Sequence, residues 1–237
     1  EKFIVIFAGE NDNEFFGIQH YSGNLIVSEI FTQNDTITLP DYVPYADGLY
    51  YVYRLGNENN IGTGTLTANA PNLKSVTVPA HYHTINVNWS RNSITELHMQ
   101  GDVPSTNWSL DNSMIVYVGS RDAYNNYMLH SSWNNAVIQP QGWDFEWMTL
   151  DVKRRGEFAQ DYIELTDADW GAAMYLKVTG VLNETDLKNM KNLTALRKLD
   201  LSEADMPELP ANFMSDKQTL MEVSFPESLK VIASGAF

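Results

Sequence analysis

The chain contains no cysteine, and that one absence removes disulfides, thiolate catalysis and thiolate metal sites together. It leaves the compartment open. Cations are also scarce, with 15 lysine and arginine residues against 30 acidic ones and a net charge of −15. Such a surface repels phosphate backbones and anionic bilayers, which argues against nucleic-acid binding and membrane-surface attachment. No apolar run approaches the roughly 20 residues of a spanning helix. The longest, Phe3 to Ala8, is strand-sized and leads into Gly9 and a polar stretch. Also missing are a G-x-S-x-G elbow, an H-E-x-x-H pair and a phosphate-cradling glycine loop. With no cysteine nucleophile either, the expectation is a protein that is not an enzyme and carries no cofactor.

What is present reads as a folded chain of 237 residues, 43% apolar and 19% charged. That length suits one large domain or two small ones. Helical periodicity is rare. Short apolar alternations bounded by Gly, Asn and Pro dominate, and they predict strands over 3–7, 15–18, 25–30, 36–39 and 50–55. Turns are expected at Asn11-Asp12-Asn13, Ser22-Gly23-Asn24 and Ala46-Asp47-Gly48. Only two segments look helical, Gly156 to about Leu165 and Asn183 to Leu193, with Thr185 able to cap the second.

The chain also repeats itself. Leu73-x-x-Val76-x-Val78-Pro79 matches Leu220-x-x-Val223-x-Phe225-Pro226, and between them lie Ile94-x-x-Leu97-x-Met99 and Leu196-x-x-Leu199-Asp200-Leu201-Ser202. Leu176, Leu199 and Val223 recur at 23 and 24 residues, and Val76 and Leu97 at 21, within the roughly 20–29 residues of leucine-rich repeats. One strand and its return segment cannot bury an apolar edge alone, so such units stack into a solenoid with a continuous core.

Ile61-Gly62-x-x-x-Leu66, followed by Leu73 to Pro79, resembles the BspA-like leucine-rich repeat, in which an I-G-x-x-A-F turn leads to L-x-x-V-x-(I/V/L)-P. Leu220 to Pro226 and the run to Gly235-Ala236-Phe237 resemble it more closely. Leu66 stands in place of the family's Phe, Ala233 in place of Gly, and Asn69 where Cys is frequent. Met114 to Tyr124, with Ser132 to Ile138, resembles the family's closing segment, although the usual Pro before Gly119 is missing. Tyr175-Leu176-Lys177-Val178-Thr179-Gly180-Val181-Leu182-Asn183-Glu184-Thr185-Asp186-Leu187, continuing to Leu199-Asp200-Leu201-Ser202-Glu203-Ala204, resembles the opening segment of arrays in Bacteroidetes surface proteins, of form L-K-V-x-G-x-L-N-x-x-D-(L/I) and then L-D-L-S-x-A.

The resemblance implies an α/β leucine-rich-repeat solenoid, strand-rich, with two arrays in tandem and short helices at the entrance of the second. A closing segment ahead of an opening one assigns 1–140 to the first array, 141–152 to a linker strand and 153–237 to the start of a second array. Residues 1–59 either begin the first array or form a separate β-unit. Further repeats are expected beyond Phe237. The resemblance also implies a monomeric, non-catalytic protein at the cell surface or secreted, acting as an adhesin toward an extracellular protein. A carbohydrate-binding module and a passive spacer are the alternatives.

In a solenoid the outward strand positions form the ligand surface. By alternation these are Thr77, Glu96, His98, Tyr117, Lys177, Lys198, Asp200 and Glu222. For Asp200 a hydrogen bond to the next repeat is the expected role. Trp89, Trp108 and Trp133, set among Asn and Ser, are candidate sugar platforms. Trp143, Phe145 and Trp147 alternate as if on one strand face, where burial between the arrays is expected. His81-Tyr82-His83 puts two imidazoles on one side of an extended segment. With only His98 as a plausible third ligand, surface histidines are the better reading. The oxygen-rich run Glu10 to Glu14 lacks EF-hand spacing and reads as a polar turn.

Overall fold

The computed structural model describes residues 5–8, 15–21, 24–45, 48–56, 66–89, 92–110 and 112–237. The strand start at Phe3, the turn at Asn11 to Asn13, the run Glu10 to Glu14 and the Ile61-Gly62 pair lie outside these. The fold is strand-rich with few helices, and it divides into two compact units, residues 1–144 and 145–237.

The first unit holds two sheets of different kinds. One is mixed. It orders β1 (Val5–Ala8), β2 (Phe15–Tyr21), β3 (Asn24–Phe31), β6 (Gly48–Leu55) and β5 (Tyr42–Tyr45), with β8 (Thr84–Ile85) also on β6. Pairing is antiparallel except at β3–β6 and β6–β8. The other is a parallel ladder of β4 (Thr36–Thr38), β7 (Ser75–Val78), β9 (Glu96–Met99), β10 (Ile115–Val118) and β11 (Val137–Pro140). The described part of the first 59 residues thus supplies every strand of the mixed sheet except β8, and the ladder's edge strand as well.

Register explains the repeat. Ile37, Val76, Leu97, Val116 and Ile138 pair in one inward row, each 4% exposed or less. The apolar residues three positions upstream of the strand centres, Leu73 and Ile94, are buried as well. A second device serves the steps from β4 to β7 and from β7 to β9, in which one carbonyl accepts from two successive N–H groups at the start of the next rung. Asp35 does this for Lys74 and Ser75, and Lys74 for Thr95 and Glu96. Parallel strands with apolar inward rows are stable only when the ladder's buried face is covered.

Between β10 and β11 runs α1 (Arg121–Leu129), a helix the periodicity does not reveal. Ser120 caps it by accepting from the Ala123 N–H at 3.1 Å. Only Tyr124 and Tyr127 are buried on it, too narrow a stripe to register as amphipathic.

The second unit repeats the architecture. β12 (Trp147–Val152), β13 (Tyr175–Val181), β14 (Lys198–Asp200) and β17 (Glu222–Ser224) form a parallel ladder. β15 (Ala204–Asp205) also pairs with β13, and β16 (Glu208–Leu209) pairs with β18 (Val231–Ile232). Met148, Leu176, Leu199 and Val223 make its inward row. The carbonyl device returns, with Met174 accepting from Arg197 and Lys198, and Arg197 from Met221 and Glu222. Within the span 141–152 the strand is Trp147–Val152, and it pairs with β13 as the first rung of this ladder instead of standing alone as a linker.

The two expected helices are α2 (Phe158–Thr166) and α3 (Glu184–Asn189), the latter running on into a 3-10 turn over Met190–Asn192. Asn183, not Thr185, caps α3. Its side chain accepts from the N–H groups of Thr185 and Asp186, and Asp186 accepts in return from Asn183 N–H at 2.8 Å. The Asp186 carboxylate is fully buried and also takes the N–H groups of Gly156 at 2.7 Å and Phe158 at 2.9 Å. One carboxylate therefore ties the entrances of both helices together.

Candidate binding faces

Four of the outward residues meet on the ladder of the first unit. Thr38, Thr77, His98, Tyr117 and Gln139 pair in one row, with Glu96 on the row beside it. The His98 and Tyr117 rings stack at 4.5 Å between centroids and 12° between planes. His98 Nδ1 lies 3.2 Å from Gln141 Oε1, and its Nε2 lies 3.9 Å from Glu96. An exposed pair at that distance adds little stability, so the stack and the glutamine fix the imidazole. The result is a preset row of hydrogen-bonding groups with one aromatic pair in it.

Lys177, Lys198 and Glu222 lie on the ladder of the second unit. Lys177 Nζ donates to Glu203 at 2.6 Å, and that bond raises the lysine's pKa. Lys198 sits 4.5 Å above the Tyr175 ring and 3.8 Å from Glu222. Tyr175 is an outward position by alternation, yet it is buried, with Phe145, Trp147 and Lys198 all against its ring. Burial raises the Asp200 pKa, but the hydrogen bonds from Ser202 outweigh it and hold the carboxyl below its ordinary range. The Asp200 bond is made to Ser202 N–H within its own turn, which corrects the expected bond to the next repeat. The named outward residues therefore form two faces, one in each unit.

The tryptophan readings change most. Trp89 is 8% exposed with its indole nitrogen buried, so it offers no stacking face. Trp133 is fully buried against Tyr127 at 5.2 Å, and its Nε1 donates to Pro104 O at 3.0 Å. Both are core residues. Asn and Ser neighbours in the sequence do not report on burial when the segment is a loop packed over a core. Trp108 is half-buried, and its indole nitrogen is buried without a partner among the described residues. Trp143, Phe145 and Trp147 do not share a strand, since β12 starts at Trp147. Trp143 donates to Val118 O at 2.7 Å, Phe145 is buried, and Trp147 is exposed.

Sequence reasoning missed an aromatic cluster on the mixed sheet. Tyr51 packs against Tyr42 at 4.3 Å and His81 at 3.8 Å, those two rings lie 5.9 Å apart, and Tyr53 lies 5.0 Å from His83. His81 Nδ1 is 2.8 Å from Asp41. Tyr42 donates to the Tyr51 hydroxyl at 2.9 Å, and that bond pushes its phenol up to about 12. The signal was available in the i, i+2 spacing of Tyr51 with Tyr53 and of His81 with His83. The partner strands, however, come from distant parts of the chain. Among the described residues no group of three or more histidine and acidic side chains is placed to hold a metal ion. A cavity of about 480 Å³ in the second unit is lined by Arg155, Asn183, Glu184, Leu187, Met206 and Pro207, among others.

No helix among the described residues is long and apolar enough to cross a membrane. No family model matches the chain, and no curated protein matches it. Among solved structures it is similar to a leucine-rich cell surface protein from Faecalibacterium prausnitzii, at 12% identity and a TM-score of 0.29, over 96% of this chain and 54% of that one. It is also similar to a leucine-rich repeat protein from Bacteroides ovatus, at 15% identity and a TM-score of 0.27, over 95% and 55%. The chain spans about half the length of these proteins, and a likeness this distant carries no argument about its function.

Proposed function

We propose that this chain is a non-catalytic binding protein of the BspA-like leucine-rich-repeat type. In this reading it is displayed at the cell surface or secreted, with two repeat arrays in tandem, and it engages an extracellular protein in the manner of an adhesin. The observation that carries the reading is the in-register row Thr38, Thr77, His98, Tyr117 and Gln139. A parallel ladder fixes its spacing, and the stacked His98–Tyr117 pair is already ordered, so binding loses little side-chain freedom there. Affinity would come from a few anchors among many neutral contacts, with Tyr117 and His98 the anchors. The net charge of −15 favours basic partners and makes their recruitment salt-dependent.

A panel of matrix proteins and polysaccharides immobilised side by side, with this chain as analyte, tests the reading. Binding to protein that weakens as salt rises is the expected result. Silence on every protein contradicts it and favours a spacer.

A further inference from the structure

The mixed sheet of the first unit carries an exposed strip that the ladder-face reading does not use. Along β6, Leu49, Tyr51 and Tyr53 point to one side by alternation, about 7 Å apart from one to the next. All three are exposed, Leu49 at 65% and Tyr51 at 49%. Register puts Pro44 opposite Leu49 and Tyr42 opposite Tyr51. His81 and His83 extend the strip past Tyr51 and Tyr53.

Three properties of the strip select a ligand class. First, it is preset: Tyr51 packs against both Tyr42 and His81, which also lie 5.9 Å from each other, and its hydroxyl accepts from Tyr42, so the row costs little entropy to engage. Second, each ring ends in a group that can exchange hydrogen bonds, a phenol on Tyr42, Tyr51 and Tyr53 and an imidazole on His81 and His83. Third, its exposed rings and Leu49 include no carboxylate and no ammonium, on a chain of net charge −15. The bordering Asp41 is already bound to His81. An anionic ligand meets an unfavourable field there, and a basic peptide finds no free carboxylate on the strip. A wholly apolar ligand would strand the hydroxyls. The match is a chain that alternates C–H faces with hydroxyl groups and bears no charge.

We propose that the strip of Leu49, Tyr42, Tyr51, Tyr53, His81 and His83 is a binding site for a neutral polysaccharide. It is separate from the ladder face and independent of the protein-binding reading. Glycan rings lie over the aromatic edges and faces, while their hydroxyls bond the phenols and imidazoles.

Affinity electrophoresis in native gels containing dissolved mannan, dextran or xyloglucan, with alginate as the charged control, tests this. At least one neutral polysaccharide should retard the wild-type chain. Tyr51→Ala/Tyr53→Ala should weaken that binding about tenfold or more, and Tyr117→Ala should leave it unchanged. Should the double alanine variant lose its circular-dichroism signature, Tyr51→Phe/Tyr53→Phe decides instead. It keeps the rings and should weaken binding about threefold or more. Retardation by none of the neutral polysaccharides, retardation by alginate alone, or equal affinity for wild type and variant overturns the proposal. A lost response to Tyr117→Ala on the protein panel would leave this site standing, so the two readings fail separately.

Discussion

Two buried tyrosines show how little a residue's identity says about its contribution. Tyr82 is buried and its hydroxyl donates to Pro40 O at 2.8 Å. Tyr127 is just as buried, yet its hydroxyl has no partner among the described residues. Tyr82→Phe should therefore cost about 1 kcal/mol in denaturant unfolding, whereas Tyr127→Phe should be neutral or stabilising, because it removes an unsatisfied group. Equal losses in the two would contradict the assignment. Asp186 is the opposite extreme. Its carboxylate serves the Gly156, Phe158 and Asn183 N–H groups, and Asp186→Ala should destabilise by about 3 kcal/mol or more. The sequence places Asp186 in the resembled Asn183-x-x-Asp186 spacing, but does not show its bonds to Gly156 and Phe158, which come from 30 and 28 residues away. Trp89 and Trp133 misled for the same reason, since local polarity says nothing about what folds over a ring.

At the scale of elements, legibility followed periodicity. The strands centred on Val76, Leu97 and Leu199 could be read because inward residues alternate and an apolar residue precedes each by three positions. The helix over Arg121–Leu129 could not, since it buries just two tyrosines and its remaining side chains are largely polar. Gly180 marks where element geometry becomes strict. Its φ is +90°, and an added Cβ would come within 2.2 Å of the Val152 carbonyl oxygen on the neighbouring strand. Gly180→Ala should cost about 3 kcal/mol or more, from backbone strain and forced separation of β12 and β13. Gly119, also part of a resembled segment, has nothing within 4 Å of its added Cβ. Gly119→Ala should stay within about 0.5 kcal/mol. Chemical denaturation of the two variants checks the contrast, and similar losses would refute the register-based explanation.

The molecule as a whole joins parallel ladders with apolar inward rows to a mixed sheet that pattern reading only half recovered. The strands β2, β3 and β6 were visible, but not the pairing that brings Tyr42, Tyr51 and His81 together, because register between distant segments is not written in either segment alone. The tyrosines also set an alkaline limit. The Tyr51 hydrogen bond raises Tyr42 to about 12. Burial raises Tyr82, Tyr127 and Tyr162. Phenols that ionise later in the folded chain than in the unfolded one contribute stability that is complete below about pH 10 and is lost as pH climbs through the folded values. Phenolate absorbance should therefore lag in the folded chain and rise together with the loss of circular dichroism. Full ionisation near pH 10 with an intact spectrum would contradict this.

The most direct test of the binding account is the affinity of Tyr117→Ala and His98→Ala, relative to wild type, for the strongest protein ligand on the panel. Leu129→Ala serves as the control, because Leu129 is 83% exposed and lies on α1, outside the in-register row. If the in-register row is the binding surface, Tyr117→Ala weakens binding about tenfold or more and Leu129→Ala leaves it unchanged. Equal affinities for all four proteins would show that the ladder face is not where this chain binds.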